Sequence, residues 1–119
     1  MKKTVFISVP MYGKVESLIE RSIQVTKDFY LKKEGISAKD VNFRDNFHAS
    51  RKYFEESGTS QEEYESMMKH PALGYLGNAI LGLSNCDAIV FGNGWNEARG
   101  CIVEYTVCCK YGIPMYFAS

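Results

Sequence analysis

The clearest chemical signal in this sequence is one glutamate, Glu104. It follows Gly100 by four residues and Glu97 by seven, so the three positions stack along one side of a predicted helix, beside its buried stripe. Because a helical side chain leans towards the N-terminus and Gly100 has no side chain, the carboxylate has room to reach back over it. The helix dipole favours the ionised form there. Such a carboxylate suits attack at an anomeric carbon or stabilisation of an oxocarbenium-like transition state, whereas pairing with Arg99 or Lys110 is the ordinary structural alternative.

Two loops are expected to supply ligand-binding groups near this glutamate. Their candidate residues are Ser8, Pro10, Met11, Tyr12 and Gly13 in the first loop, and Asn93, Gly94, Trp95, Asn96 and Gly100 in and after the second. The second loop combines amide donors and acceptors with a flat apolar indole, ahead of the free N–H groups of a helix start. Both loops also read as tight turns that merely need glycine. Neither contains GxGxxG or a P-loop ending, so the sequence indicates no dinucleotide, no triphosphate and no cofactor.

Short apolar strands and amphipathic helices alternate around these loops. The pattern predicts strands at 4–8, 40–43, 86–91 and 113–117, and helices at 15–34, 71–84 and 97–111. This order predicts an α/β protein: a three-layer α/β/α sandwich, flavodoxin-like or Rossmann-like, with a parallel sheet of about four strands in the order 2-1-3-4. Ligands bind such sheets beyond the strand carboxyl ends, where the strand order reverses. Both loops are expected at that point, lining one cleft with Glu104.

Residues 44–70 interrupt the pattern within what we interpret as a single domain, 1–119. This charged segment with scattered aromatic residues predicts an insertion with one or two short helices, acting as a lid, an oligomer contact or a solvated spacer. The helix that follows contains Gly74, Gly77 and Gly82, so we expect something to approach it closely. Because a four-stranded sheet of this length buries limited surface, the helix and the insertion together predict a homo-oligomer.

Composition narrows the range of partners. Lys+Arg 14 against Asp+Glu 14 gives zero formal charge, without the basic excess that binding to a nucleic-acid polymer or a membrane surface normally needs. No apolar run reaches the ~18 residues of a membrane span and no signal peptide is evident, so we expect a cytoplasmic protein. The cysteines form no CxxC pair, and we interpret all four as apolar core residues that make neither a metal site nor a disulfide: Cys86, Cys101, Cys108 and Cys109.

Two segments carry a family resemblance: FISVPMYGK at 6–14 and CDAIVFGNGWNEARGCIVEY at 86–105. They resemble the small nucleoside 2-deoxyribosyltransferase-like proteins, with a first strand ending in SxPM-x-G, a strand beginning (C/A)D, and GW-x-x-A-x-G-x-x-x-E. The likeness covers nearly every element except the insertion. It implies that Glu104 is the nucleophile that takes a deoxyribosyl group from the base, and that the ligand is of the nucleoside or nucleotide type. The matching Asp87 lies at the start of its strand, so we interpret it as structural.

Two positions depart from the family pattern. Ala79 stands where the family usually has an acidic aspartate, and Phe6 stands where transferases often have a tyrosine that orients the nucleophile; Tyr12 is a possible substitute for that phenol. Protonation of the leaving base then needs another acid. The candidates are Glu97, Asp45 and His48.

Three functional hypotheses follow. The first is an enzyme, either a transferase or a hydrolase, acting on the N-glycosidic bond of a nucleoside, nucleotide or related ribosyl compound through Glu104. The second is a non-catalytic module that binds a nucleotide-type ligand as a sensor or sequestering protein, and Ala79 supports it. The third is an interaction protein with a degenerate pocket. None of them specifies the base, sugar or acceptor.

Overall fold

Strands and helices alternate along the chain in a computed structural model that describes residues 2–118. The strands are β1 (Lys3–Ser8), β2 (Val41–Arg44), β3 (Ala88–Phe91) and β4 (Met115–Phe117). The helices are α1 (Glu16–Glu34), α2 (Asn46–Ser57), α3 (Gln61–Ser66), α4 (Pro71–Leu83) and α5 (Arg99–Tyr111), with single 3-10 turns at Ala38–Asp40 and Trp95–Glu97. None of the described helices is long and apolar enough to cross a membrane.

The four strands form one parallel sheet in the order β2-β1-β3-β4, which confirms the predicted fold class and strand order. The order reverses between β1 and β3, where Ser8 pairs with Phe91 at the carboxyl ends of both strands. Side chains alternate across β1, so that Val5 and Ile7 contact one core and Phe6 contacts the other. Ser8 is therefore on the same face of the sheet as Phe6.

Helices cover both faces of the sheet, as expected for a three-layer fold. On one face α1 buries Ile19, Ile23 and Tyr30 against the odd-numbered residues of β1. On the other face α4 and α5 contribute Leu83 and Cys101, among others, to a second core with Phe6 and Phe91. Both cores are buried apolar layers, so packing on both faces holds the sheet and the residues at its carboxyl ends in position.

The insertion contains two helices, α2 and α3, as predicted. Asp45 caps the start of α2, and Gly58 ends it at φ 73°, a left-handed conformation that glycine adopts readily. Rings from α2, α3 and α4 then pack edge to face or tilted, with centroids 5.4 to 5.6 Å apart, in a cluster of Tyr53, Phe54, Tyr64 and Tyr75. This cluster holds the insertion against α4.

The close approach expected at the glycines of α4 occurs at Gly74. The sulfur and methyl of Met68 occupy the space that a Cβ would need there, and they come from the same chain. At Gly82 a Cβ would lie 3.8 Å from Phe6, which is ordinary contact, and at Gly77 nothing lies within 4 Å. The expectation is therefore confirmed at one of the three glycines.

Candidate functional site

Ser8 and Glu104 form the polar centre of the site. The Ser8 hydroxyl at the end of β1 donates a hydrogen bond of 2.6 Å to Oε1 of Glu104 on α5. Their exposed fractions are only 3% and 6%. A buried, hydrogen-bonded carboxylate at the carboxyl end of a parallel sheet is an expensive arrangement, and such arrangements concentrate at functional sites.

The rotation of α5 about its axis explains the burial of Glu104. The buried stripe of the helix consists of Cys101, Glu104 and Cys108, spaced i, i+3, i+7, whereas Ile102 and Cys109 are exposed. The spacing of apolar residues predicts a buried stripe of Ala98, Cys101, Ile102, Tyr105, Cys108 and Cys109, and this prediction is wrong at Ile102 and Cys109. Glu104 lies on the stripe and not beside it, and Cys109 is not a core residue.

Burial is also the main influence on the pKa of Glu104. Desolvation raises the pKa of this carboxyl to about 7, and the hydrogen bond from Ser8 opposes that rise without cancelling it. The raised pKa runs against the expectation that the helix dipole keeps the group ionised. Glu104 lies in the second turn of α5, where the dipole has largely faded, and the loss of water is the larger effect.

The start of α5 differs from the prediction as well. A 3-10 turn spans Trp95–Glu97, and Ala98 is extended with φ −104° and ψ 121°, so the α-helix begins only at Arg99. Glu97 is therefore outside the helix and exposed, and it does not stack with Gly100 and Glu104. The nearest atom to a Cβ at Gly100 is Leu76 Cδ1 of α4, at 4.0 Å.

A small cavity lies beside the Glu104 carboxyl. Its volume is about 20 Å³, enough for roughly one water, and its lining includes Phe6, Ser8, Met11, Asp45, Asn46 and Glu104. Three elements that are far apart in the chain meet here: the end of β1, the start of α2 and the middle of α5. The structure thus brings Ser8, Met11 and Asp45, from the predicted candidates, to Glu104.

Asp45 belongs to a chain of three titratable groups. It is 8% exposed, and its Oδ1 accepts 2.7 Å from the backbone N–H of His48. Its Oδ2 lies 2.8 Å from Nδ1 of the same imidazole, and Nε2 forms an ion pair with Glu20 on α1. His48 therefore links the buried Asp45 carboxylate to an exposed carboxylate at the surface.

The remaining residues of the first loop lie at the edge of the site. Met11 lines the cavity, whereas Tyr12 is 95% exposed and Gly13 is exposed at φ 74°. Pro10 is half-buried and faces Gly94, whose Cβ would lie 3.5 Å from it. The two predicted loops are therefore neighbours, although only the first contributes to the cavity lining.

The second loop points elsewhere. Trp95 packs on Phe91, Tyr105 and Phe117, with ring centroids 5.0 to 5.3 Å apart, and does not line the cavity. The two loop amides are exposed and absent from the cavity lining: Asn93 and Asn96. The predicted single cleft thus forms around the first loop only, and a ligand-binding role for the second loop stays a prediction.

A larger groove adjoins the cavity, with a volume of about 370 Å³. It lies between the end of β2, α2 and α4, and Phe6, Asp45 and Asn46 line both spaces. Ala79 is part of its wall. Sequence reasoning missed this groove, yet a signal was present, because Arg44, Asp45 and Asn46 follow directly on the carboxyl end of a predicted strand.

Asp87 has the structural role that its position predicted. At the amino end of the sheet its Oδ2 accepts 2.8 Å from the N–H of Thr4, and its own N–H donates 2.7 Å to the Thr4 carbonyl. These bonds join β1 to the chain entering β3. Residues 2–118 contain no group of three or more His, Cys, Asp or Glu side chains arranged to hold a metal ion.

Comparisons of the chain with models of protein families, with curated proteins and with solved structures found no match. The resemblance to the deoxyribosyltransferase-like proteins therefore stays a prediction based on motifs. A proposal for the function therefore depends on the arrangement and chemistry of Ser8, Asp45 and Glu104.

Proposed function

We propose that this protein cleaves or transfers the N-glycosidic bond of a nucleoside, nucleotide or related ribosyl compound, with Glu104 as nucleophile. The observation that carries the proposal is the buried Glu104 carboxyl, bonded to Ser8 in the wall of a cavity at the sheet's carboxyl end. The motif resemblance supports the same assignment independently of that geometry.

The proposed reaction has two steps. An ionised oxygen of Glu104 attacks the anomeric carbon, the C–N bond breaks, and the base leaves with the electron pair of that bond. The ester formed between the sugar and the carboxylate is then attacked at the same carbon by water or by a second base, which restores Glu104. Ser8 holds one carboxylate oxygen by its hydrogen bond and so positions the other.

The leaving base needs a proton, and the positions of the three acid candidates separate them. Asp45 lines the cavity and the groove, and His48 lines the groove, whereas Glu97 lines neither. We assign the acid role to the pair: the proton held between His48 Nδ1 and Asp45 Oδ2 passes to a base nitrogen, which leaves the pair one proton poorer until solvent at the exposed side of His48 replaces it. This pair replaces the aspartate that the family pattern would place at Ala79.

A second candidate function has an observation in its favour. The cavity beside Glu104 has room for about one water, and Ala79 provides no acid in the groove wall. A ligand held in the groove without reaching the carboxylate would be bound and not turned over. That arrangement describes the sensor or sequestering module.

The deciding experiment is base release from a panel of nucleosides and nucleotides, followed by chromatography. We expect turnover by the wild type and a loss of about 10³-fold or more in Glu104→Gln, which keeps the size of the side chain but removes its charge. Glu97→Gln is the matched control and should keep full activity. Undiminished release by Glu104→Gln would overturn the assignment, and binding without any release by the wild type would favour the sensor module.

A further inference from the structure

The groove between α2 and α4 combines an apolar floor with a positive rim. The Phe6 ring contributes to the floor, together with the small side of α4 at Ala79 and Gly82, whereas the Phe43 ring packs on Tyr30 at the other face of the sheet. Arg44 at the end of β2 and Lys52 on α2 are part of the lining. One aromatic ring and two cations around one groove suit a ligand that has a planar apolar part and a negative charge.

The charges of this groove are not balanced within the protein. Among residues 2–118 the side-chain ion pairs involve His48 and Arg51, and neither Arg44 nor Lys52 forms one. The one carboxylate in the described lining is Asp45, which is buried and already bonded twice to His48. Both cations therefore remain available to a bound anion.

The groove leads to the proposed nucleophile. Phe6, Asp45 and Asn46 line both the groove and the cavity that contains Glu104, so the two spaces are direct neighbours. Arg44 pairs with Phe6 in the sheet register, on the neighbouring strand. An anionic group at Arg44 and an anomeric carbon at Glu104 can thus belong to one small molecule.

We propose that Arg44 and Lys52 form an anion-recognition subsite that selects ribosyl compounds carrying a negatively charged oxyanion group over their uncharged counterparts. The group is a phosphate on the sugar or a carboxylate on the base, since both present oxygens that a guanidinium fork and an ammonium bind. The ribosyl part of this inference rests on the proposed function, whereas the charge selection rests on the groove alone.

Binding is measured by calorimetry on full-length Glu104→Gln, so that substrate persists. The probes are each common nucleoside against its own 5′-monophosphate, and uridine against orotidine, which has a carboxylate on the base. We expect the charged member to bind more tightly in at least one of these comparisons. Adding Arg44→Gln or Lys52→Gln should lower the affinity for that charged compound by about 10- to 100-fold and change the affinity for its uncharged counterpart little. The comparison that responds identifies the source of the charge.

Arg21→Gln and Lys69→Gln remove exposed cations outside the groove and are the matched controls. Arg44→Lys keeps the charge without the fork and should show a smaller loss than Arg44→Gln. Thermal unfolding checks that each variant is folded. Equal affinity for charged and uncharged probes, equal losses in the control variants, or no binding by any probe would overturn the subsite.

The same measurements separate this proposal from the proposed function. Tight, Arg44-dependent binding of charged compounds without base release by the wild type would leave the subsite standing and refute the glycosidic activity. Base release by the wild type that is indifferent to substrate charge and to Lys52→Gln would leave the activity standing and refute the subsite.

Discussion

Ser8 Oγ donates a 2.6 Å hydrogen bond to Glu104 Oε1, although 96 residues separate the two in the chain. The bond joins the end of the first strand to the middle of the last helix, and both side chains are almost fully buried. Burial of the carboxyl raises its pKa to about 7. Near neutral pH such a carboxyl is present in both its protonated and its ionised form, so the effects of its burial can be measured by varying the pH.

The first prediction concerns stability against pH. The pKa of Glu104 is about 7 in the folded protein against 4.5 for an ordinary glutamate, so the folded state retains the proton longer. The protonated Glu104 therefore stabilises the folded protein fully below about pH 4.5, and about 3 kcal/mol of unfolding free energy is lost as the pH rises to about 7. Glu104→Gln does not titrate, so the variant does not lose stability in this way.

Urea unfolding near pH 5 and near pH 8 checks this prediction. The unfolding free energy of Glu104→Gln minus that of the wild type should be larger at pH 8 than at pH 5. Glu97→Gln, an exposed glutamate, is the control and should show no such trend. A relative stability of Glu104→Gln that is independent of pH would contradict the raised pKa.

The second prediction concerns activity against pH under the proposed mechanism. Because the attacking carboxylate must be ionised, kcat/KM for base release should rise as the pH passes through about 7. Ser8→Ala removes a hydrogen bond that favours the ionised form, so the pKa goes up and the rising limb shifts to higher pH. A lower rate with an unmoved profile would assign Ser8 a purely structural role.

The third prediction tests packing at a glycine next to the site. A Cβ at Gly92 would lie 2.6 Å from Thr26 Oγ1 and 2.7 Å from Val9 Cγ1, so Gly92→Ala should cost about 1–3 kcal/mol of unfolding free energy. Gly77→Ala is the matched control. Nothing lies within 4 Å of a Cβ there and the position is helical, so that change should stabilise the protein by about 1 kcal/mol. Equal effects on denaturant unfolding would show that the crowding at Gly92 is relieved by movement of its neighbours.

The fourth prediction concerns assembly, which we propose to be homo-oligomeric through α4. Leu73 and Leu81 are 64% and 67% exposed, and they lie on the same side of the helix as the open Gly77. Leu81→Asp should shift sedimentation towards monomer, whereas Val25→Asp, on the exposed side of α1, should not. Wild-type protein that sediments only as monomer at micromolar concentration would refute the proposal.

The order of elements and the sheet were predictable because they depend on local patterns. Continuous apolar runs such as TVFIS and AIVF indicate strands buried on both faces, and alternation with amphipathic helices leads to a parallel sheet. The rule that ligands bind where the strand order reverses then located Ser8 and Glu104 together before any coordinates. These inferences need only spacing and residue type.

The burial of Glu104, its pKa and the groove depend on how elements that are distant in the chain pack together. The rotation of α5 buries Cys108 and exposes Cys109, and spacing alone does not choose between neighbouring stripes of a helix that is apolar on several sides. The same rotation closes Glu104 on Ser8 and raises its pKa, because desolvation depends on every neighbour of the carboxyl. The groove at Arg44 needs β2, α2 and α4 to meet, and that meeting is set by aromatic contacts across the insertion, which no local pattern encodes.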